Sequence, residues 1–410
     1  MRICLLSYRG NPYSGGQGIY IHYLSRELCR LGHEVHLLAG PPYPEVVSAV
    51  KVHRLRSLQL YDSLDPLRSH LPRLRNPLRL YEFLATWAGT FPEPFTFSIR
   101  AYRKLQELLS SVKFDIVHDN QCLGYGLLLM KRLRVPVIAT IHHPITIDRK
   151  LAFAQTENQR DRFRLMRWYS FIMMQRRVAP RLERIITVSH SSARDIERSF
   201  KVYRDRLRVV HNGVDTDFFR SDGDISKRPN SLIAMDSGTW HMKGIPYLLQ
   251  ALRLLRENED GNVNLTVVGT SAPGTKYAML IREWGLEDAV TFTGRITKQE
   301  LVRRYSTAEI AAVPSLYEGF GFPAVEAMSC KLPVIATRAG ALPEVVGEDG
   351  RAGILVPPAD SEALAAAIRH LLHDRQLRKS MGEAGRQRVE ELFSWEKAAQ
   401  ETLQVYQELL

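Results

Sequence analysis

The sequence is poor in cysteine and has no long apolar run. Its 410 residues contain four cysteines, Cys4, Cys29, Cys122 and Cys330. They lie too far apart for a C-x-x-C pair, which argues against a structural zinc site or a disulfide framework and for a reduced, cytoplasmic setting. No apolar stretch reaches the roughly 20 residues that span a bilayer. Residues Met1–Tyr8 lack a basic leader ahead of an apolar segment and read as a buried first strand, not as a secretory signal. The absence of short-period repeats and low-complexity tracts excludes solenoids and arrays. G-x-G-x-x-G and P-loop spacings are also missing. The strand expected at Glu34–Ala39 runs into Gly40 with no acid to hold a ribose, so a nicotinamide dehydrogenase is disfavoured.

Charge is present, but unevenly. The net charge is +12. Residues 1–210 carry 34 Lys and Arg against 17 Asp and Glu, and the remainder carries 22 against 27. The basic residues of the first half are mostly arginines interleaved with Leu, Tyr, Phe and Trp, as in Arg73-Leu74-Arg75 to Leu80-Tyr81. That pattern suits an anionic membrane surface or a phosphorylated acceptor. A nucleic-acid partner is not expected, since nothing but the basic half suggests one.

Apolar runs alternate with helical patterns from end to end, which predicts parallel sheets built from βα units. In the first half, strands are expected at 2–8, 34–39, 115–118, 135–141, 184–189 and 207–211. In the second half they are expected at 232–237, 263–268, 290–293, 310–314, 333–337 and 354–356. Two such sets predict an α/β chain with two Rossmann-like domains, 1–211 and 212–392. The border falls at His211-Asn212-Gly213-Val214-Asp215, ahead of a polar linker. Two stretches fit the βα rhythm poorly and read as insertions that carry specificity: Leu58–Phe97, and a helical Lys150–Arg177 with Phe163, Trp168, Tyr169 and Phe171 on a basic face.

Three loops carry candidate chemistry. Asn11-Pro12-Tyr13-Ser14-Gly15-Gly16-Gln17-Gly18 joins the first strand to a helix, where glycines allow close approach and the helix N-terminus offers amides to an anion. Gly238-Thr239-Trp240-His241-Met242-Lys243-Gly244 repeats the arrangement and adds a lysine, which makes a reasonable diphosphate clamp. In Glu318-Gly319-Phe320-Gly321-Phe322-Pro323-Ala324-Val325-Glu326, Glu318 lies at the carboxyl end of a strand and Pro323 suits a helix start. Glu326, about one turn into that helix, can accept two ribose hydroxyls.

The Glu318 to Glu326 stretch resembles the E-x7-E motif of the retaining GT-B glycosyltransferases of family 4. The likeness runs along nearly the whole chain, through Gly15-Gly16-Gln17-Gly18, Leu31-Gly32-His33-Glu34-Val35, Asn212-Gly213-Val214-Asp215 and Phe393-Ser394-Trp395. It implies two domains facing each other across a cleft, with a final helix, 393–410, crossing back to the first. It also implies a nucleotide-sugar donor of the UDP, GDP or ADP class and transfer of a hexose with retention. In this likeness Glu318 contacts the donor hexose, Glu326 the ribose, and the amides of Phe320, Gly321 and Phe322 the sugar and diphosphate. Lys243, aided by the loops at Gly16 and Gly238, neutralises the leaving phosphate, and His142 faces the donor sugar. The chain departs from the family at the clamp: Gly238-Thr239-Trp240 lacks the usual arginine.

Fixed amides and Lys243 can meet the charge of the leaving diphosphate, so no cofactor and no essential metal are expected. Asp215-Thr216-Asp217 looks like a metal-binding D-x-D, but beside Asn212-Gly213 it reads better as a loop acid. The acceptor expected for the basic half is lipid-linked or a polysaccharide precursor, with peripheral attachment to the cytoplasmic leaflet. The alternatives are a sugar-nucleotide-binding protein without turnover, and an epimerase of the same fold.

Overall fold

The computed structural model describes residues 1–10, 16–58, 76–221, 226–236, 240–257, 262–269 and 276–410. The chain divides into two compact units, Met1–Val210 with Ala398–Leu410, and His211–Lys397.

The first unit is built on a seven-stranded sheet of β1 (Arg2–Ser7), β2 (Glu34–Ala39), β3 (Lys51–Arg54), β4 (Ile116–Asn120), β5 (Val137–Ile141), β6 (Ile185–Thr187) and β7 (Leu207–Val209). Its order is β3-β2-β1-β4-β5-β6-β7, and every pairing is parallel. The second unit holds β8 (Ser231–Met235), β9 (Asn264–Val268), β10 (Val290–Phe292), β11 (Ile310–Val313), β12 (Val334–Thr337) and β13 (Gly353–Val356). Their order is β10-β9-β8-β11-β12-β13, again parallel throughout. Both are doubly wound sheets whose order reverses beside the first strand of the set. Central strands such as Ile3-Cys4-Leu5-Leu6 and Val137-Ile138-Ala139 are buried on both faces, as a helix-covered parallel sheet requires. All four cysteines are free thiols, three of them buried.

Local signals set the helix starts. Ser189 accepts the amide of Ser192 at the head of His190–Phe200. Thr297 accepts that of Glu300 at the head of Lys298–Thr307. Both are N-caps of the expected type.

The structure corrects three expectations. Strand β3 was not anticipated: Lys51-Val52-His53-Arg54 has one apolar side chain and lies exposed at the sheet edge. The stretch Leu58–Phe97 is not one insertion, because Glu93–Phe97 opens the helix Glu93–Leu109 that leads into β4. Within it, residues 59–75, including Arg73 and Arg75, lie outside the described residues, and Pro77–Trp87 is helical. Lys150–Arg177 is broken into helices Thr146–Ala154, Gln159–Trp168 and Ile172–Val178. Trp168 stacks on Phe91 at 5.0 Å between centroids, and Phe171 meets the same ring at 5.3 Å. The aromatics therefore weld the two stretches together.

Helix Trp395–Gln407 closes the chain. From Ala398 onward it belongs to the first unit, where the Tyr406 hydroxyl lies 2.6 Å from His118 Nδ1 and Glu408 pairs with Arg184 and Arg208.

Candidate active site

In the second unit, the loops after β8 and β11 flank the point where the strand order reverses, the usual ligand crevice of such a sheet. Lys243 ends the short helix Trp240–Lys243 after β8. The amide of Leu316 donates to Met242 O at 2.7 Å and ties this turn to the loop after β11. Gly244 follows with φ +63°, and a Cβ there would lie 1.9 Å from Pro314 O, so only glycine permits the approach.

Glu318 occupies the loop after β11 and is buried. Its Oε1 accepts hydrogen bonds from Lys243 Nζ at 2.7 Å and from Ser315 Oγ at 2.8 Å. Thr337 Oγ1, at the end of β12, donates in turn to Ser315 O. The carbonyl of Glu318 accepts the Ala341 amide at 2.9 Å. Gly340, at φ +58°, leaves room for that carbonyl, which a Cβ would meet at 2.1 Å. The carboxylate is thus held from the ends of β8 and β11, and the backbone that carries it from the end of β12.

Glu326 lies in the helix Phe322–Ser329, which is capped by Gly321 at φ 107° and carries Pro323 in its first turn. The first amides of a helix have no partner within it and face an incoming anion. The side chains of Phe320 and Phe322 pack on each other and on Phe393 and Trp395, which anchors the backbone that would meet a ligand. Burial raises the Glu326 pKa to about 7, against the opposing effects of the Tyr305 hydroxyl, Lys298 and Lys243. Tyr305 donates to Glu326 Oε2 at 3.3 Å.

In the first unit, Gly16 opens the helix Gly16–Arg30. The carbonyl of Gln17 accepts Asn120 Nδ2 at 3.1 Å, and Asn120 Oδ1 lies 2.8 Å from His142 Nε2. The His142 amide donates to Gln121 Oε1 at 2.7 Å, and its ring meets Tyr20 edge-on at 4.9 Å. Burial, with smaller effects from His143 and His118, lowers the His142 pKa to about 3, so the ring is neutral. His143 differs: it is less buried and pairs with Asp148 at 2.8 Å.

The structure therefore joins Lys243 to Glu318 in one unit, and the Gly16 helix to His142 in the other. Gly238 and residues 237–239, where the family's clamp arginine would stand, lie outside the described residues. Asp215 Oδ1 accepts the Phe218 amide at 3.1 Å and shapes a turn. Among the described residues no cluster of three or more His, Cys, Asp or Glu could hold a metal, and no helix is long and apolar enough to cross a membrane. Sequence reasoning missed Ser315, Tyr305, Asn120 and Gln121. The polar run Asp119-Asn120-Gln121 at the end of β4 was a signal for the last two.

Residues 14–218 match the family described as Glycosyltransferase Family 4, and residues 215–388 match Glycosyl transferases group 1. The chain belongs to the family 4 glycosyltransferases, with their GT-B fold of two Rossmann-like domains, and is an enzyme that uses a nucleotide-sugar donor. It is 43% identical to a protein of Mycolicibacterium hassiacum named MMP alpha-(1->4)-mannosyltransferase, over 100% of this chain and 98% of that one. It is 27% identical to a D-inositol 3-phosphate glycosyltransferase of Corynebacterium aurimucosum, over 99% and 96%. Among solved structures, a sucrose-phosphate synthase of Thermosynechococcus elongatus shares the fold with TM-score 0.75 at 24% identity, covering 100% and 99% of the two chains. Anabaena HepE in complex with UDP-glucose shares it with TM-score 0.69 at 18% identity, covering 100% of both.

Proposed function

We propose that this chain transfers a mannosyl residue in α-(1→4) linkage from a nucleoside-diphosphate mannose to a saccharide hydroxyl, with retention at C1. The full-length 43% identity to the mannosyltransferase of M. hassiacum carries the choice of sugar and linkage. The residues of the second unit supply the chemistry. The bond from C1 to the diphosphate breaks, the acceptor oxygen bonds to C1, and the acceptor's hydroxyl proton passes to the departing diphosphate oxygen. Charge grows on the departing diphosphate, where Lys243 and the amides at the head of Phe322–Ser329 stabilise it. These fixed charges make turnover independent of a metal. Glu318, released from Lys243 by the arriving phosphate, engages the hexose, and Glu326 takes the ribose hydroxyls. Incubating the enzyme with GDP-, UDP- and ADP-mannose and a mannoside acceptor, followed by linkage analysis, tests the reading.

A second proposal concerns the acceptor's surroundings. Helix Pro77–Trp87 turns its carboxylate inward and four large apolar side chains outward. Glu82 is its one buried residue and pairs with Arg100, while Leu80, Tyr81, Leu84 and Trp87 are exposed, Trp87 at 82%. Phe163 and Met166 are exposed on Gln159–Trp168, among Arg160, Arg162 and Arg164. Exposed apolar side chains on two helices, the second carrying three exposed arginines, suit an anionic lipid surface. We assign these side chains to peripheral attachment near a lipid-linked acceptor.

A further inference from the structure

We propose that Asn120 is a positioning residue that fixes His142 in its Nε2–H tautomer, leaving Nδ1 as a hydrogen-bond acceptor for a hydroxyl of the sugar substrate. This role rests on the proposed sugar transfer, and a carbonyl sets the orientation of the amide. Gln17 O can only accept, so the Asn120 group 3.1 Å from it must be the NH₂. The other end of the amide, 2.8 Å from His142 Nε2, is then the oxygen, which also can only accept. His142 Nε2 must therefore carry the proton. A neutral imidazole has one N–H, so Nδ1 is a bare lone pair.

The rest of the pocket keeps the ring in place and uncharged. Gln121 Oε1 takes the His142 amide, Ser192 Oγ donates to its carbonyl at 3.0 Å, and the Tyr20 ring packs edge-on. The ionisable neighbours are His143, His118 and the buried Asp119, which precedes Asn120. Both histidines oppose a second positive charge, and burial has already pushed the ring well below the ordinary range. Among the described residues no group bonds Nδ1. A ring in this state rewards a substrate group that donates, such as a hydroxyl, and repels one that only accepts, such as fluorine or a carbonyl. A histidine of the opposite tautomer would reverse that preference.

The test is a long-range ¹H–¹⁵N correlation spectrum of the full, ligand-free chain labelled in histidine, with His142 assigned by its loss in His142→Gln. We expect a pyridine-like Nδ1 and a protonated Nε2 at neutral pH. Asn120→Leu, which removes the oxygen, should mix the tautomers and lower kcat about tenfold, the equivalent of one hydrogen bond. Asn120→Asp keeps the shape but sets a negative charge beside Nε2, and should move His142 toward the doubly protonated form. A protonated Nδ1 in the wild type, or a His142 spectrum unchanged in both variants, overturns the proposal. Because the spectrum needs no donor, it separates failure of this inference from failure to transfer mannose.

Discussion

Lys243 Nζ lies 2.7 Å from Glu318 Oε1, although 75 residues separate them in the chain. Both side chains are largely buried, so each neutralises a charge that would otherwise be costly to hold there. The pair also occupies the position where a phosphate and a hexose are expected to arrive together. In the proposed reaction an incoming phosphate would compete for the lysine and release the carboxylate to the sugar. Assembly of the site would thereby be coupled to donor binding.

The two partners should fail differently. Glu318→Ala should reduce kcat by about a hundredfold or more without weakening nucleoside-diphosphate binding, because the lysine loses its competing carboxylate. Lys243→Ala should weaken nucleotide binding by about 1–3 kcal/mol, the scale of a charged hydrogen bond. Calorimetry on both variants, beside steady-state kinetics, checks the division; equal losses of nucleotide affinity would refute it.

Glu326 predicts a pH dependence. Burial chiefly raises its pKa from 4.5 to about 7. The protonated acid is therefore the form favoured by the empty fold, and stability from this group declines as pH rises from 4.5 through 7. Binding two ribose hydroxyls needs the ionised form, so nucleotide affinity should fall as pH drops below about 7. Glu326→Gln should stabilise the empty protein at pH 8 by about 2–3 kcal/mol and weaken nucleotide binding. Denaturant titrations and calorimetry at pH 6 and pH 8 measure both effects.

His118 and His142 predict acid lability. Burial depresses both to about 3. Their neutral forms support the fold above 6.5, the ordinary value, and that support is lost as pH falls from 6.5 toward 3. At pH 5 each should cost about 2 kcal/mol. Tyr406→Phe, which removes the hydroxyl partner of His118, should lower stability by about 1 kcal/mol, read from urea unfolding at pH 7.

The outward face of Pro77–Trp87 predicts sedimentation with anionic vesicles at low salt. Replacing Leu84 and Trp87 by Ser should release the protein without loss of folding, because both side chains are exposed. Wild-type protein that ignores vesicles of any anionic content would remove the membrane proposal.

Activity should persist in a chelator, since Lys243 and helix amides meet the leaving charge. Loss in EDTA with recovery in magnesium or manganese would reopen Asp215-Thr216-Asp217 as a metal site.

Much of this was legible in local sequence. Runs such as Val334-Ile335-Ala336-Thr337 announce buried parallel strands, and Gly321-Phe322-Pro323 announces a helix start. Lys51–Arg54 was not legible, because an exposed edge strand needs little apolar content. Glu318 and Glu326 were found from one loop, but their partners were not. Tyr305 reaches Glu326 from a different helix, and Asn120 reaches His142 from the neighbouring strand end. Such pairs are created by strand order, which one sequence does not spell out. The insertions misled for a related reason: Phe91 and Trp168 meet only because two distant stretches fold onto each other.

The most direct test of the central claim is a transfer assay with the GDP, UDP and ADP derivatives of mannose and of glucose and a short mannoside acceptor, the product's linkage determined by NMR. The account predicts one new α-(1→4) mannosyl bond with release of the nucleoside diphosphate, formed about a hundredfold or more slowly by Glu318→Ala. A β-linked product, or transfer of another hexose in preference to mannose, would contradict it.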